Sequence, residues 1–277
     1  MAPATRIPRI FHFIFGLGRR RPRFHLVHYL CLRSCIEVND PDAVVVHYHR
    51  EPRGRYWELI RPEISTARIE PVPFVSGFRY GGGGASRYRY AHHSDFRRLE
   101  ILHGDGGVYA DIDTLFVNPL PSELFEKSFV IGREPDITRF PTDGVAPSLC
   151  NALLMAEPGA RFARLWLDQI EASFDGTWSA HSTLLPERLS REHEALVHIE
   201  PQRSFFKHAW TPDGIRTLLE GCDADLEGVL SMHLWAHLWW SRWRRDFTRF
   251  HAGMLDEDYI RRGETTYARA ARRFLPR

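Results

Sequence analysis

Residues 90–119 read YAHHSDFRRLEILHGDGGVYADIDTLFVNP. Residues 88–103 have helical spacing, and Gly104-Asp105-Gly106-Gly107 stops the pattern. Residues 108–112 then read as an apolar strand, and residues 115–117 continue or follow it. The strand runs into Asp111-Ile112-Asp113. In an extended chain residues i and i+2 point the same way, so Asp111 and Asp113 are expected on one side with Ile112 toward the core. Two like charges held together are costly unless a cation sits between them. Oxygen ligands of this kind suit Mg²⁺ or Mn²⁺. A lone Asp-X-Asp also fits a surface turn or a cap, so its context decides. Asp95 lies 16 residues before Asp111, with Arg98 one helical turn later, an i,i+3 pair on one helix face.

Working outward, residues 7–15 read as a first strand ended by Gly16 and Gly18, and residues 24–38 as a helix. Asn39-Asp40-Pro41-Asp42 is a turn before a strand at 43–48. A short helix at 56–60 and a short strand at 69–72 follow. Residues 74–86 form a loop containing Gly81 to Gly84, either a mobile lid or a plain loop. It lacks the Gly-Lys-Ser/Thr ending of a phosphate loop. Residues 129–132 and 149–155 read as strands, and residues 161–174 as an amphipathic helix. The C-terminal third is aromatic-rich and less regular, with a basic helix at its end. Alternating strands and helices predict an α/β fold with a mostly parallel sheet covered on both faces, binding its ligand at the carboxyl ends of the strands.

The chain has 277 residues, 43% hydrophobic and 26% charged, which is a globular composition. No linker divides it, so residues 1–277 are expected to form one domain. A formal charge of +2 gives no reason to expect nucleic acid as a partner. Lys127 and Lys207 are the two lysines among 37 basic residues, and the arginines are suited to gripping phosphate. No apolar run is long enough to span a membrane. The run from Ile10 to Leu17 is followed, not preceded, by its charges, so it reads as a buried strand and not as a signal peptide. Cys31, Cys35, Cys150 and Cys222 read as buried free thiols, which fits a cytoplasmic protein.

The quoted segment resembles the retaining glycosyltransferases whose sugar-binding region contains a DXD motif. These include yeast initiating α-1,6-mannosyltransferases, bacterial capsular sugar transferases and the core of the clostridial glucosylating toxins. The family pattern is a Ser-Asp-X-X-Arg helix followed by Gly-Gly-X-Tyr-X-Asp-X-Asp. Ser94, Asp95, Arg98, Gly106, Gly107, Tyr109, Asp111 and Asp113 match it. Ile7-Pro8-Arg9-Ile10-Phe11-His12 resembles the family's opening strand, and Phe15 stands near the usual base-stacking Trp. The resemblance covers roughly the first 155 residues and isolated later points. Asn151 matches a family Asn near the sugar. Residues 231–240, SMHLWAHLWW, resemble the closing motif: His233 fits its His, Trp239 its Trp, and His237 stands where Ser is usual. Read without the resemblance, that segment also fits core packing, and less well a zinc pair, which lacks the metalloprotease Glu. The basic aromatic stretch after it fits a solvated helix face or a membrane surface.

The resemblance implies a GT-A-type, Rossmann-like fold with a less regular acceptor-side region. Residues up to about 155 would bind the nucleotide sugar, and residues from about 156 to 277 would close on it and meet the acceptor. It implies a metal-dependent hexosyltransferase acting with retention, using Mn²⁺ or Mg²⁺ and a UDP- or GDP-sugar. Asp111, Asp113 and His233 are the expected metal ligands. Asp95, Arg98 and Asn151 are expected around the donor sugar, and Phe15, Gly107, Tyr109, Asp111, His237 and Trp239 around the rest of the donor. The acceptor stays open among glycan, natural product, lipid-linked saccharide and protein. Two other readings compete. Asp111-Ile112-Asp113-Thr114 resembles a haloacid-dehalogenase phosphatase signature, although that motif belongs on a first strand. A non-catalytic nucleotide-sugar-binding protein is the other.

Overall fold

Apolar side chains alternate along the central strands, and the alternation builds a core on each face of one sheet. The computed structural model describes residues 6–18, 20–81, 88–134 and 148–276. The first part of the chain alternates β1 (Ile10–Ile14), α1 (Leu26–Asn39), β2 (Ala43–Tyr48), α2 (Arg55–Ile60), β3 (Ser65–Arg68) and α3 (Pro73–Gly77). Next come α4 (Arg89–Asp105), β4 (Gly107–Ala110), β5 (Thr114–Phe116), α5 (Ser122–Phe125), β6 (Phe129–Arg133), β7 (Leu149–Ala156) and α6 (Arg161–Ser173). The last third has shorter elements: α7 (Leu185–Glu192), β8 (His198–Glu200), α8 (Gln202–Phe206), α9 (Pro212–Leu219), β9 (Ser231–His233), α10 (Glu257–Arg262) and α11 (Thr266–Ala271).

The main sheet has the order β3-β2-β1-β4-β7-β6-β8. Its neighbours run parallel except where β7 meets β4 and β6, so β7 is the reversed strand in a mostly parallel sheet. Phe11, Phe13, Val108 and Ala110 face a core with α1, while Ile14, Tyr109 and Leu154 face one with α4 and α6. Such two-sided burial is what a parallel sheet requires. β5 pairs with β9 in a separate antiparallel ribbon.

Strand order reverses between β1 and β4, which creates a switch point at their carboxyl ends. Because β7 is reversed, its first residues lie at that same edge, and the Asp111 N–H donates to the Ala152 carbonyl at 2.8 Å. Gly107 makes the β1–β4 contact possible. It has φ +103°, and a Cβ there would lie 2.4 Å from the Ile10 carbonyl oxygen. His12 reinforces the join, donating from Nε2 to the Gly106 carbonyl at 3.0 Å, with its Nδ1 3.0 Å from His47 Nε2.

Several sequence expectations shift. The third strand lies at Ser65–Arg68, ahead of the predicted 69–72. It is an edge strand with little burial, so its backbone pairs without an apolar signature, while Val72 packs into the α4 core. The residues after Ala110 do not continue the strand: Asp111 to Asp113 form a turn, with the Thr114 N–H donating to the Asp111 carbonyl at 3.0 Å. Cys31, Cys35 and Cys150 are buried free thiols, but Cys222 is exposed. Gly82 to Gly84 lie outside the described residues. Among the described residues no helix is long and apolar enough to cross a membrane.

Candidate active site

The turn after β4 brings the two aspartates together by bending, not by strand alternation. β5 then pairs with β9 so that Thr114 lies opposite His233. His233 Nε2 sits 3.1 Å from Asp113 Oδ1 and 3.7 Å from Asp111 Oδ2. The remaining oxygen of each carboxylate is fixed by the protein. Asp113 Oδ2 accepts the Ala236 N–H at 2.7 Å, and Asp111 Oδ1 accepts the Tyr109 hydroxyl at 2.7 Å. The Ala236 contact depends on Trp235, which turns the chain in the left-handed region at φ 52°. That conformation is strained for a non-glycine residue. The Trp235 indole N–H, donating to the His208 carbonyl at 2.9 Å, helps to hold it.

One ligand atom from each of Asp111, Asp113 and His233 lies within 4.8 Å of the others. Two carboxylate oxygens and an imidazole nitrogen facing one point suit a divalent cation such as Mn²⁺ or Mg²⁺. The electrostatics agree with that fit. Burial lifts the Asp111 carboxyl above its ordinary value, against the pull of Arg98 and His233. Burial also acts to lift Asp113, but His233 and the Ala236 N–H outweigh it and hold that carboxyl low. Burial lowers His233, and Asp113 more than compensates, so its imidazole is raised. The carboxylate pair therefore draws positive charge to this point.

Behind the pair lies a buried polar layer. Arg98 Nη1 donates to the Asn151 carbonyl at 2.6 Å and lies 3.3 Å from Asp111 Oδ1; Nη2 lies 3.1 Å from Asp95 Oδ1, and Nε donates to the Ser94 carbonyl at 3.1 Å. Its guanidinium also sits 4.6 Å above the Tyr109 ring. Asp95 accepts from Asn151 Nδ2 at 2.8 Å on one oxygen and from His181 Nε2 at 2.9 Å on the other. Sequence reading placed Asp95 beside the donor sugar. Instead both its oxygens are engaged and it does not line the cleft, whereas Arg98 and Asn151 do. His181 has no exposed surface and comes from a π-helical turn at Ala180–Leu184, a segment without a readable motif.

The pair opens into a cleft of about 1400 Å³. Phe15 and His28 line one wall, their ring centroids 4.4 Å apart, and Trp240 stacks on His28 at 5.5 Å. Tyr109 and His237 also line the cleft, and His237 stacks on Trp178 at 4.7 Å. Burial takes His237 down to about 4, so it is neutral near pH 7. Two expected donor residues lie elsewhere. Gly107 packs against β1, its close approach being to a neighbouring strand. Trp239 is fully buried and donates to the Leu234 carbonyl at 2.6 Å, so Trp240 is the indole of the pair that reaches the cleft. His233 and His237 are not a zinc pair, because His237 turns to Trp178. Glu134, at the end of β6, also lines the cleft, and burial raises its carboxyl against the Ser148 hydroxyl bond.

The chain is similar in sequence and fold to known proteins. Residues 62–130, which contain Asp95, Arg98, Asp111 and Asp113, match the glycosyltransferase sugar-binding region containing a DXD motif. Glucan organizing enzyme 1 of Cryptococcus neoformans var. grubii is 28% identical over 97% of this chain and 71% of its own length. The galactosyltransferase LgtC, solved with donor and acceptor sugar analogs, has a TM-score of 0.50 at 13% identity, covering 88% of this chain and 93% of its own. That likeness shows the fold. The PaToxG glycosyltransferase superposes with a TM-score of 0.46 at 16% identity, over 67% of this chain and 70% of its own. A phosphatase of the haloacid-dehalogenase type is set aside, since Asp111 follows the fourth strand and not the first. Over residues 62–130 the chain is similar to the DXD-motif glycosyltransferases, and it is an enzyme of GT-A-like fold centred on Asp111-Ile112-Asp113.

Proposed function

We propose that the enzyme moves a hexose from a UDP- or GDP-sugar to an acceptor hydroxyl with retention at the anomeric carbon. The observation that carries this reading is the convergence of Asp111 Oδ2, Asp113 Oδ1 and His233 Nε2 at the switch-point edge of the sheet, on the floor of a cleft large enough for a nucleotide sugar. These three residues would hold Mn²⁺ or Mg²⁺, which supplies positive charge to the departing diphosphate. Phe15, His28 and Trp240 form the wall for the base. Arg98 and Asn151 border the sugar, and Asp95 with His181 keeps them in place. His237 covers the diphosphate side. Residues up to about 155 carry the donor, and residues from about 156 onward close on it and present the acceptor.

For retention, the acceptor oxygen attacks the anomeric carbon on the face that the diphosphate leaves. The bond from that carbon to the diphosphate oxygen breaks, and the acceptor proton passes to the leaving phosphate. Three buried thiols without a disulfide suit a reducing compartment, so we place the enzyme in the cytoplasm. A thermal-shift screen of nucleotide sugars with and without Mn²⁺ tests the donor assignment. The expected result is a rise in Tm for one donor, only with metal, that disappears in Asp113→Asn. A screen with no response at millimolar donor refutes it. The anomeric configuration of the product, read by NMR, tests retention separately.

A further inference from the structure

We propose that the acceptor is a saccharide, seated by its ring faces on Tyr90, Trp178 and Trp243; this rests on the transferase reading of the cleft. Among the described residues, the large apolar side chains left exposed are Leu59, Tyr90, Trp178, Leu184, Trp243 and Met254. The three aromatic ones all line the cleft, and none of the three aliphatic ones does. Scattered exposed apolar residues need no explanation, but segregation of every exposed ring to one concave surface marks a binding site.

The rings lead outward from the reacting centre. Tyr90 stands on α4 one helical turn before Ser94 and two before Arg98, half exposed toward the same cleft. Trp178 stacks on His237 and meets the Tyr88 ring edge-on at 5.1 Å. Trp243 is 80% exposed at the rim, with the Arg242 guanidinium over its ring. Packing gives no reason for that degree of exposure.

The chemistry between the rings selects the ligand class. A pyranose presents flat C–H faces bordered by hydroxyls, so it needs flat apolar surfaces interleaved with hydrogen-bonding groups. Ser94, Glu134, Ser241 and Asp246 supply those groups in the same cleft. A lipid chain needs a continuous aliphatic wall instead, whereas of the Ile and Leu side chains here Ile14 and Leu17 are buried and Ile112 is only partly exposed.

Tryptophan fluorescence titrations with neutral hexasaccharides of glucose, galactose, mannose and N-acetylglucosamine test the assignment. Anionic phosphatidylglycerol vesicles form a parallel arm, and UDP or GDP with Mn²⁺ is titrated separately. At least one hexasaccharide is expected to quench the fluorescence. Trp243→Ala should weaken that binding about five-fold, and Trp178→Ala more, with Trp178→Phe recovering part. Leu59→Ala, an exposed change outside the cleft, should leave it unaltered, and Tm values verify folding. No hexasaccharide binding at millimolar concentration, with nucleotide binding intact, overturns the acceptor assignment alone. So does vesicle binding that Trp243→Ala abolishes without any saccharide response. Absence of nucleotide binding in the wild type would count against the transferase reading instead.

Discussion

Asp111 and Asp113 leave the end of a central strand, where Arg98 of α4 backs Asp111, whereas the groups that balance Asp113 arrive from irregular chain. The carboxylates rest on a seven-stranded sheet with a core on each face. His233 and Ala236 come from a three-residue strand and the single turn after it. That second region is pinned by indoles: Trp235 donates to His208 and Trp239 to Leu234, both to carbonyls. The sheet therefore fixes the negative charge, α4 balances Asp111 through Arg98, and the C-terminal segment sets how Asp113 is balanced. Breaking the first should abolish chemistry on an intact fold, and loosening the second should change affinity and pH response.

The largest effect is expected at Asp113. Asp113→Asn keeps the volume and can still accept the Ala236 N–H, but it removes the charge drawn to His233 and a cation. Transfer should fall by about 10³-fold or more, with Mn²⁺-dependent donor binding lost and circular dichroism unchanged. Wild-type turnover by the folded variant would remove the strand-derived half of the comparison.

Next comes the polar layer behind the floor. His181→Ala strips one partner from buried Asp95 and opens a cavity, so stability should fall by about 2–4 kcal/mol. Arg98 and Asn151 both hang on Asp95, so kcat should drop by more than about ten-fold with a smaller change in donor KM. His181→Gln retains an N–H donor and should recover part of both. A variant with lowered Tm but unchanged kcat would leave His181 a packing residue only.

The irregular half predicts opposite pH slopes with and without metal. His233 is raised above its ordinary 6.5, chiefly by Asp113 working against burial. Without metal its protonated form contributes stability that is fully present below about pH 6.5 and is lost as pH rises through the raised value. Mn²⁺ needs the neutral imidazole, so metal affinity should rise across that same window. His233→Gln should flatten both slopes there and weaken Mn²⁺ binding by about ten-fold. Slopes of the same sign would show that His233 does not ligate the metal.

The same contrast explains what could be read from the chain. β1, β2, α4, β4 and β7 announce themselves by apolar period, and Asp95, Arg98, Asp111 and Asp113 by fixed spacing along one helix and one strand end. That local order was enough to predict a mostly parallel sheet with acids at its edge. The turn at Asp111 to Asp113 was not legible, because a turn and a strand end share the same residues there. β3 is a polar edge strand whose backbone pairing leaves no trace in side-chain pattern. His181 meets Asp95 across 86 residues through a π-helical turn, and Trp178 meets His237 through ring stacking. Neither has a periodicity to read.

The smallest effect concerns two adjacent indoles. Resemblance pointed to Trp239 for the donor, but Trp239 is in the core and Trp240 stacks on His28 in the cleft. Adjacent residues on a short helical turn face different ways, so a one-position difference exchanges packing for binding. Trp240→Ala should raise the donor Kd by about two- to ten-fold, the worth of one aromatic contact, with little change in Tm. Trp239→Phe deletes the indole N–H that reaches Leu234 and leaves that buried carbonyl without this partner, so it should lower stability by about 1–3 kcal/mol at nearly constant donor Kd. Calorimetric donor titrations and melting curves on the two variants separate the roles. Because Leu234 carries the N–H that meets the Asp113 carbonyl at 3.0 Å, a change in donor affinity in Trp239→Phe would mean that the core indole transmits its position to the floor. The two halves of the site would then be mechanically one.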